Sequence, residues 1–433
     1  MEKLYLGVGR EIITPHVGSN LYGYSPDIIS TSINDDLTAT AFYFEQNSVK
    51  ALVVSITVCE MQTKLCDDVR KLLEEKTGVP SENIMLCATH THSGPNVAGS
   101  EGWGEIDREY CDKILIPRLV SASIMATKNP TPVRMAVSVG ESEVGVNRRQ
   151  LFFNNKIDFG QNTWGCINKK MTILSFADEN DNKVATMIHY GCHGTAAGPN
   201  TEITRDWSGI MTDAIEEISG VPCAFFNGTM GDIGPRISNG KTTGDITYVK
   251  ELGEVAKRDA IRIYESLDGY KNAKLSIASN TVEIPLKNRI SKEKCLEMYE
   301  DYKNETENIG GMIKAHLETV MSLEDNGTEP CKSFPICQTT VAVGDVVFTG
   351  IPFEMFSETG LRIDEAVKDK KVLCVSNTNG FEGYFVTEDA ICRGGYEVEM
   401  FLYGRPQQFC DNADWHLMKQ MTETIEKLFA EGE

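Results

Sequence analysis

The chain reads as an α/β protein with mixed β-sheets flanked by helices. Three features of the sequence predict this. Apolar runs of strand length recur along its 433 residues. Stretches with helical spacing of apolar residues lie between them. Histidine-rich segments follow two of the strand-like runs, where a chain leaving a sheet can face a cavity.

The strand-like runs are 51–58, 83–88, 183–189, 274–284, 339–349 and 372–376. The helical patterns are 62–76, which stops at Gly78-Val79-Pro80, then 110–127, 209–218, 251–267, 291–323 and 415–430. Strands that alternate with helices favour a parallel or mixed sheet. Residues 291–326 are strongly charged and hold Gly310-Gly311 near their middle. They read as a helical hairpin broken at the glycines: a lid over a site, a partner-binding arm, or a solvated excursion. No linker marks a domain boundary, so residues 1–433 are expected to form a single domain.

Hydrophobic residues make up 41% and charged residues 24%, as in ordinary globular proteins. The net charge of −21 disfavours nucleic acid and anionic lipid as partners. The first nine residues lack a basic region followed by a long apolar stretch, so no secretory signal is expected. No run of about 18 apolar residues predicts a membrane-spanning helix. No apolar stretch looks suited to gripping a bilayer. Thirteen cysteines without a Cys-x-x-Cys spacing fit free thiols in a reducing cytoplasm. Cys87 and Cys192 read as small buried packing residues.

Two of the seven histidines lie in Ala88-Thr89-His90-Thr91-His92-Ser93-Gly94-Pro95, just after an apolar run. In an extended chain, residues i and i+2 point to one side, so His90 and His92 are expected to project together. A second cluster, Ile188-His189-Tyr190-Gly191-Cys192-His193-Gly194-Thr195, closes another strand. Imidazole serves as a zinc ligand and as an acid or base near neutral pH. The bland alternative is a set of structural histidines at strand ends.

The Thr-His-Thr-His-Ser-Gly-Pro segment resembles the signature of the neutral, non-lysosomal ceramidase family. Further matches follow in chain order: Asn147-Arg148, His193-Gly194-Thr195, Gly350-Ile351-Pro352-Phe353-Glu354, Gly383-Tyr384-Phe385-Val386-Thr387 and Tyr396-Glu397. The start, Gly9-Arg10-Glu11-Ile12-Ile13-Thr14-Pro15, is also similar. The resemblance implies a ceramidase-like catalytic domain and one catalytic zinc, held by His90, His193, Glu354 and Tyr384. Zinc accepts imidazole nitrogen and carboxylate oxygen, lowers the pKa of its water to about 7 and polarises a carbonyl. His92, Arg148 and Tyr396 are then expected to stabilise an oxyanion or protonate a leaving group. Arg148 reads alternatively as a surface residue beside Arg149, and Tyr396 as a core aromatic.

The sequence departs from the family at one decisive position. The family's nucleophilic serine falls at Gly234, within Thr229-Met230-Gly231-Asp232-Ile233-Gly234-Pro235. Glycine offers no nucleophile, so direct attack by metal-activated water is expected, with Asp232 orienting or deprotonating it. Asp232 reads alternatively as a turn or N-cap residue. The glycine is also expected to widen the cavity. No C-terminal β-sandwich of the family's kind is expected. The combined expectation is a cytoplasmic zinc amidohydrolase acting on a small soluble amide or ester, with no stable membrane association. A zinc-dependent lyase or isomerase, or a non-catalytic ligand-binding relative, stays open.

Overall fold

The computed structural model describes residues 2–430. Two sheets stack face to face, with helices on both outer faces. The larger sheet has eight strands in the order Cys223–Asn227, Lys183–Tyr190, Lys170–Ala177, Thr131–Glu141, Leu4–Ile12, Thr38–Gln46, Val49–Ile56 and Ile84–Ala88. Its centre is antiparallel, and its two edge pairs are parallel. The smaller sheet orders Leu275–Pro285, Ser333–Val343, Val346–Gly350 and Lys371–Val375, the last pair parallel.

Side-chain alternation builds the layers. On the strand Thr38–Gln46, Ala39, Ala41 and Tyr43 face a helix-side core. Phe42 and Phe44 point the other way and pack with Val341, Phe348 and Leu373 of the smaller sheet. Helices Thr63–Thr77 and Ile116–Lys128 cover one half of the larger sheet. Helices Trp207–Ser219 and Ile246–Glu265 cover the other. Helices Asn308–Asp325, Ser357–Ala366 and Ala413–Ala430 bury their apolar faces against the smaller sheet.

The run 339–349 is two antiparallel strands rather than one. Gly344, at φ 64°, turns the chain between them. The charged segment forms the expected hairpin, but its break lies at 303–307, just before Asn308 at φ 51°. Gly310 and Gly311 sit inside the second helix, which buries Met312, Ile313, Leu317 and Val320 in the core. That helix is thus no purely solvated excursion.

The carboxyl ends of the strands from both sheets meet along one edge. Asn227 donates to the carbonyls of Thr89 and Cys192 at 2.9 and 3.0 Å. Ser376 N–H donates to Asn227 O at 3.1 Å. These bonds tie four strand ends together, and the histidine segments leave from that edge.

Candidate metal centre

His90 follows the strand Ile84–Ala88 by two residues and adopts φ 68°. The left-handed backbone, which costs a β-carbon residue energy, replaces the extended geometry expected from the sequence. The two rings still converge, with His90 and His92 Nε2 atoms 3.2 Å apart. Backbone contacts join this turn to the second histidine segment. Gly194 N–H donates to His90 O, and His92 N–H donates to Gly194 O, at 3.2 and 3.1 Å. A β-carbon at Gly194 would lie 2.6 Å from His90 O, so only glycine permits this approach. The clamp brings His193 into edge contact with His90, ring centroids 4.5 Å apart.

Glu354 and Tyr384 enter from the smaller sheet's side. Glu354 Oε2 lies 3.0 Å from His193 Nε2 and 3.5 Å from His90 Nε2. It accepts no hydrogen bond from any described residue, although it is buried. The Tyr384 hydroxyl lies 3.3 Å from His193 Nε2. His90 Nδ1 faces Cys59 O at 3.0 Å, and His193 Nδ1 faces the carbonyls of Met230 and Ile233 at 2.9 and 3.0 Å. His92 Nδ1 faces Gly23 O at 3.2 Å. A carbonyl at Nδ1 keeps the proton there and turns each Nε2 lone pair inward. Burial pushes the pKa of all three histidines down, that of His92 to about 4, which favours neutral rings. Inward lone pairs and an unpartnered carboxylate oxygen form a donor set that fits a divalent cation such as zinc.

Arg148 is buried, and so is Arg149 beside it. Arg148 donates to Tyr384 Oη and to Glu397 Oε1, both at 2.8 Å. Arg149 donates to Glu397 Oε2 at 2.6 Å. Tyr396 packs against Tyr384 and Phe159 and lines a cavity of about 30 Å³ beside the histidines. Burial raises the Tyr384 and Tyr396 hydroxyls well above the ordinary phenol range.

Asp232 is placed differently. Its carboxylate accepts from Ser357 N–H at the start of the helix Ser357–Ala366, at 2.8 Å, and from Asn147 at 2.9 Å. That is helix capping, close to the turn-or-cap alternative, and Asp232 does not line the cavity. Gly234 corrects the expected widening. A β-carbon there would meet Thr242 Cβ at 2.6 Å, so the Thr242 side chain occupies the space. His189 bonds Cys374 O at 2.8 Å and ties the two sheets together. Cys87 and Cys192 are buried, and all thirteen cysteines are unpaired.

The expectation of no exposed apolar stretch is overturned. On the hairpin of Gly145–Leu151 and Ile157–Asn162 and the turn after it, Leu151, Phe152, Phe153, Phe159 and Trp164 are exposed. Leu151-Phe152-Phe153 is a run of only three apolar residues, and Phe159 and Trp164 stand singly between polar residues and glycine, so the sequence does not display one patch. Glu397 and Glu60 were also missed as site residues. Glu397 stands beside Tyr396 in the motif match, but its pairing with two buried arginines is visible only in the structure. Glu60 carried no signal, being a single acid in Cys59-Glu60-Met61.

Residues 4–251 match the family described as neutral/alkaline non-lysosomal ceramidase, N-terminal. The chain belongs to that family. It is similar to neutral ceramidase A of Dictyostelium discoideum, 27% identical over 209 residues, 44% of this chain and 28% of that protein. It is also similar to the neutral ceramidase of Oryza sativa subsp. japonica, 25% identical over 228 residues, 49% of this chain and 28% of that protein. The chain thus matches less than a third of the length of these ceramidase relatives. The fold agrees with the neutral ceramidase structure from Pseudomonas aeruginosa at a TM-score of 0.73 and 20% identity, over 98% of this chain and 74% of that one. Among the described residues no helix is long and apolar enough to cross a membrane.

Proposed function

We propose that this ceramidase-family chain is a zinc-dependent hydrolase of a small amide or ester, with residues 1–433 acting as one catalytic domain. One zinc ion would be held by His90, His193, Glu354 and Tyr384. The observation that supports this most is the Glu354 oxygen, buried without a hydrogen bond and facing two imidazole Nε2 atoms. A buried carboxylate left so is costly unless a cation or proton meets it. When bound, zinc supplies a positive charge that acidifies water and polarises a carbonyl oxygen.

The chain's own residues supply the rest. Arg148, held by Glu397, carries a fixed positive charge beside Tyr384 and is suited to a developing oxyanion. A hydroxyl that accepts from a guanidinium gives up its proton more readily, which suits Tyr384 to ligation. His92 keeps an unprotonated Nε2 turned toward His90, suited to accepting a hydrogen bond from water and relaying its proton to the leaving amine. Tyr396 retains its proton at neutral pH and can donate it. The unpaired cysteines support a reducing, cytoplasmic setting.

Metal analysis of the purified protein, then acid release from a panel of short N-acyl compounds, tests this reading. His193→Ala should lose zinc and turnover together. Full zinc occupancy and activity in that variant would overturn the site assignment.

The exposed aromatic hairpin favours a second reading, in which the amide is amphiphilic and is met at a lipid surface. Phe159 of that hairpin packs at a tilt against Tyr396, and the Arg148 guanidinium lies over its ring. Turnover of long-chain ceramide in detergent-free vesicles at rates rivalling short soluble amides would select this reading over the first.

A further inference from the structure

Glu60 lines the same small cavity as His90, His92 and Glu354, yet the proposed chemistry does not use it. It is 3% exposed. Tyr22 and Ser100 both donate to its Oε1. No donor among the described residues reaches Oε2, and no lysine, arginine or histidine forms an ion pair with the carboxylate. Burial, together with the charge of the Glu354 carboxylate, pushes the Glu60 pKa up. The remaining cavity wall includes the aromatic rings of Tyr22, Trp103, Phe381 and Tyr396.

A carboxylate and aromatic faces share one kind of partner. Ring faces attract cations, and a buried carboxylate is stabilised by a cation that hydrogen-bonds to it. A cation bearing N–H groups would hydrogen-bond to the free oxygen and offset both the burial and the neighbouring carboxylate, holding Glu60 ionised. The cavity of about 30 Å³ exceeds the roughly 10–15 Å³ that one water requires, so it admits a small polar group. The net charge of −21 raises the local concentration of cations and depletes anions. We infer that Glu60 binds a primary ammonium group of the substrate, and that the substrate is therefore a small amide bearing a second, protonated nitrogen. The turnover consequence rests on the hydrolase reading above; the binding consequence does not.

Two measurements on the zinc-loaded protein test it. The first compares kcat/KM for N-acetyl-1,2-diaminoethane, N-acetylethanolamine and N-propylacetamide, which differ only in their terminal group. The ammonium compound should lead by about tenfold or more, the range of a charge-assisted hydrogen bond. Glu60→Gln should bring the three to within about threefold, and Glu60→Asp should keep the order with a raised KM. The second is calorimetry with ethylammonium, which should bind the wild type about tenfold more tightly than Glu60→Gln. A wild type that prefers the neutral compounds, or a Glu60→Gln variant that keeps the preference, overturns the inference and leaves the hydrolase reading standing. If no amide is turned over, calorimetry decides alone, and equal binding by both proteins overturns it.

Discussion

Glu354 and Tyr384 are register partners across a two-residue parallel strand pair, Glu354–Met355 with Tyr384–Phe385. Glu354 N–H donates to Gly383 O at 3.0 Å, and Phe356 N–H to Phe385 O at 3.1 Å. Paired residues of a parallel ladder project to the same side. The backbone therefore delivers a carboxylate and a phenol to one face, and the clamp at Gly194 delivers two imidazoles to meet them.

Removing a single donor should separate metal binding from folding. Tyr384→Phe keeps the strand pair and loses one oxygen, so zinc affinity should fall by at least about tenfold while the circular dichroism spectrum is unchanged. Zinc at about a hundredfold over its Kd should raise wild-type stability by about 3 kcal/mol. Thermal melts with and without a chelator read this directly, and an unchanged melting temperature would argue against a bound metal.

Glu397 anchors both Arg148 and Arg149. Breaking a buried ion pair by removing one partner costs roughly 3–5 kcal/mol, because the other charge stays buried. Glu397→Gln should lower stability by that order in urea titrations. It should also reduce kcat more than it raises KM, since Arg148 would lose its fixed position beside Tyr384.

The two histidine segments were legible because each follows a mostly apolar strand, whereas Arg148, Glu354, Tyr384 and Tyr396 were legible only through the family's motifs. Runs such as 84–88 and 183–190 are covered on both faces, so they stand out by hydrophobicity alone. The strand Thr38–Gln46 is buried as deeply, but Thr38, Thr40, Glu45 and Gln46 interrupt its apolar run. Its place between Leu4–Ile12 and Val49–Ile56 is set by pairing, which sequence does not display. The same holds for Glu397, whose meaning depends on two arginines some 250 positions away. The left-handed turn at His90 is a tertiary effect too: the backbone bends there to reach Gly194.

Asp232 should give stability a pH dependence of unusual sign. Burial raises its pKa from 3.8 to about 7 in the folded protein. Between these values the folded chain holds a proton that the unfolded chain has released. Stability contributed by this group is therefore fully present below pH 3.8 and is lost as pH rises through 7. Asp232→Asn cannot release that proton. Its urea stability should lack this part of the decline that the wild type shows between about pH 4 and 7, and parallel profiles would refute the assignment.

Gly234 bears on the mechanism itself. Gly234, the position the motif resemblance aligns with the family's serine, holds no nucleophile, and Thr242 fills the space a side chain would take. Gly234→Ser should therefore not restore a serine mechanism. Overpacking against Thr242 should cost about 1–3 kcal/mol, visible as a lower melting temperature. Adding Thr242→Gly should recover much of that loss by clearing the contact. In the wild type, hydrolysis should proceed by direct attack of water, without an acyl-enzyme. Activity should then be abolished by strong chelators and untouched by serine-directed acylating reagents. Intact-protein mass spectrometry during turnover should show only the unmodified chain. A mass increase equal to the acyl group would refute direct attack, and peptide mapping of the adduct would name the nucleophile.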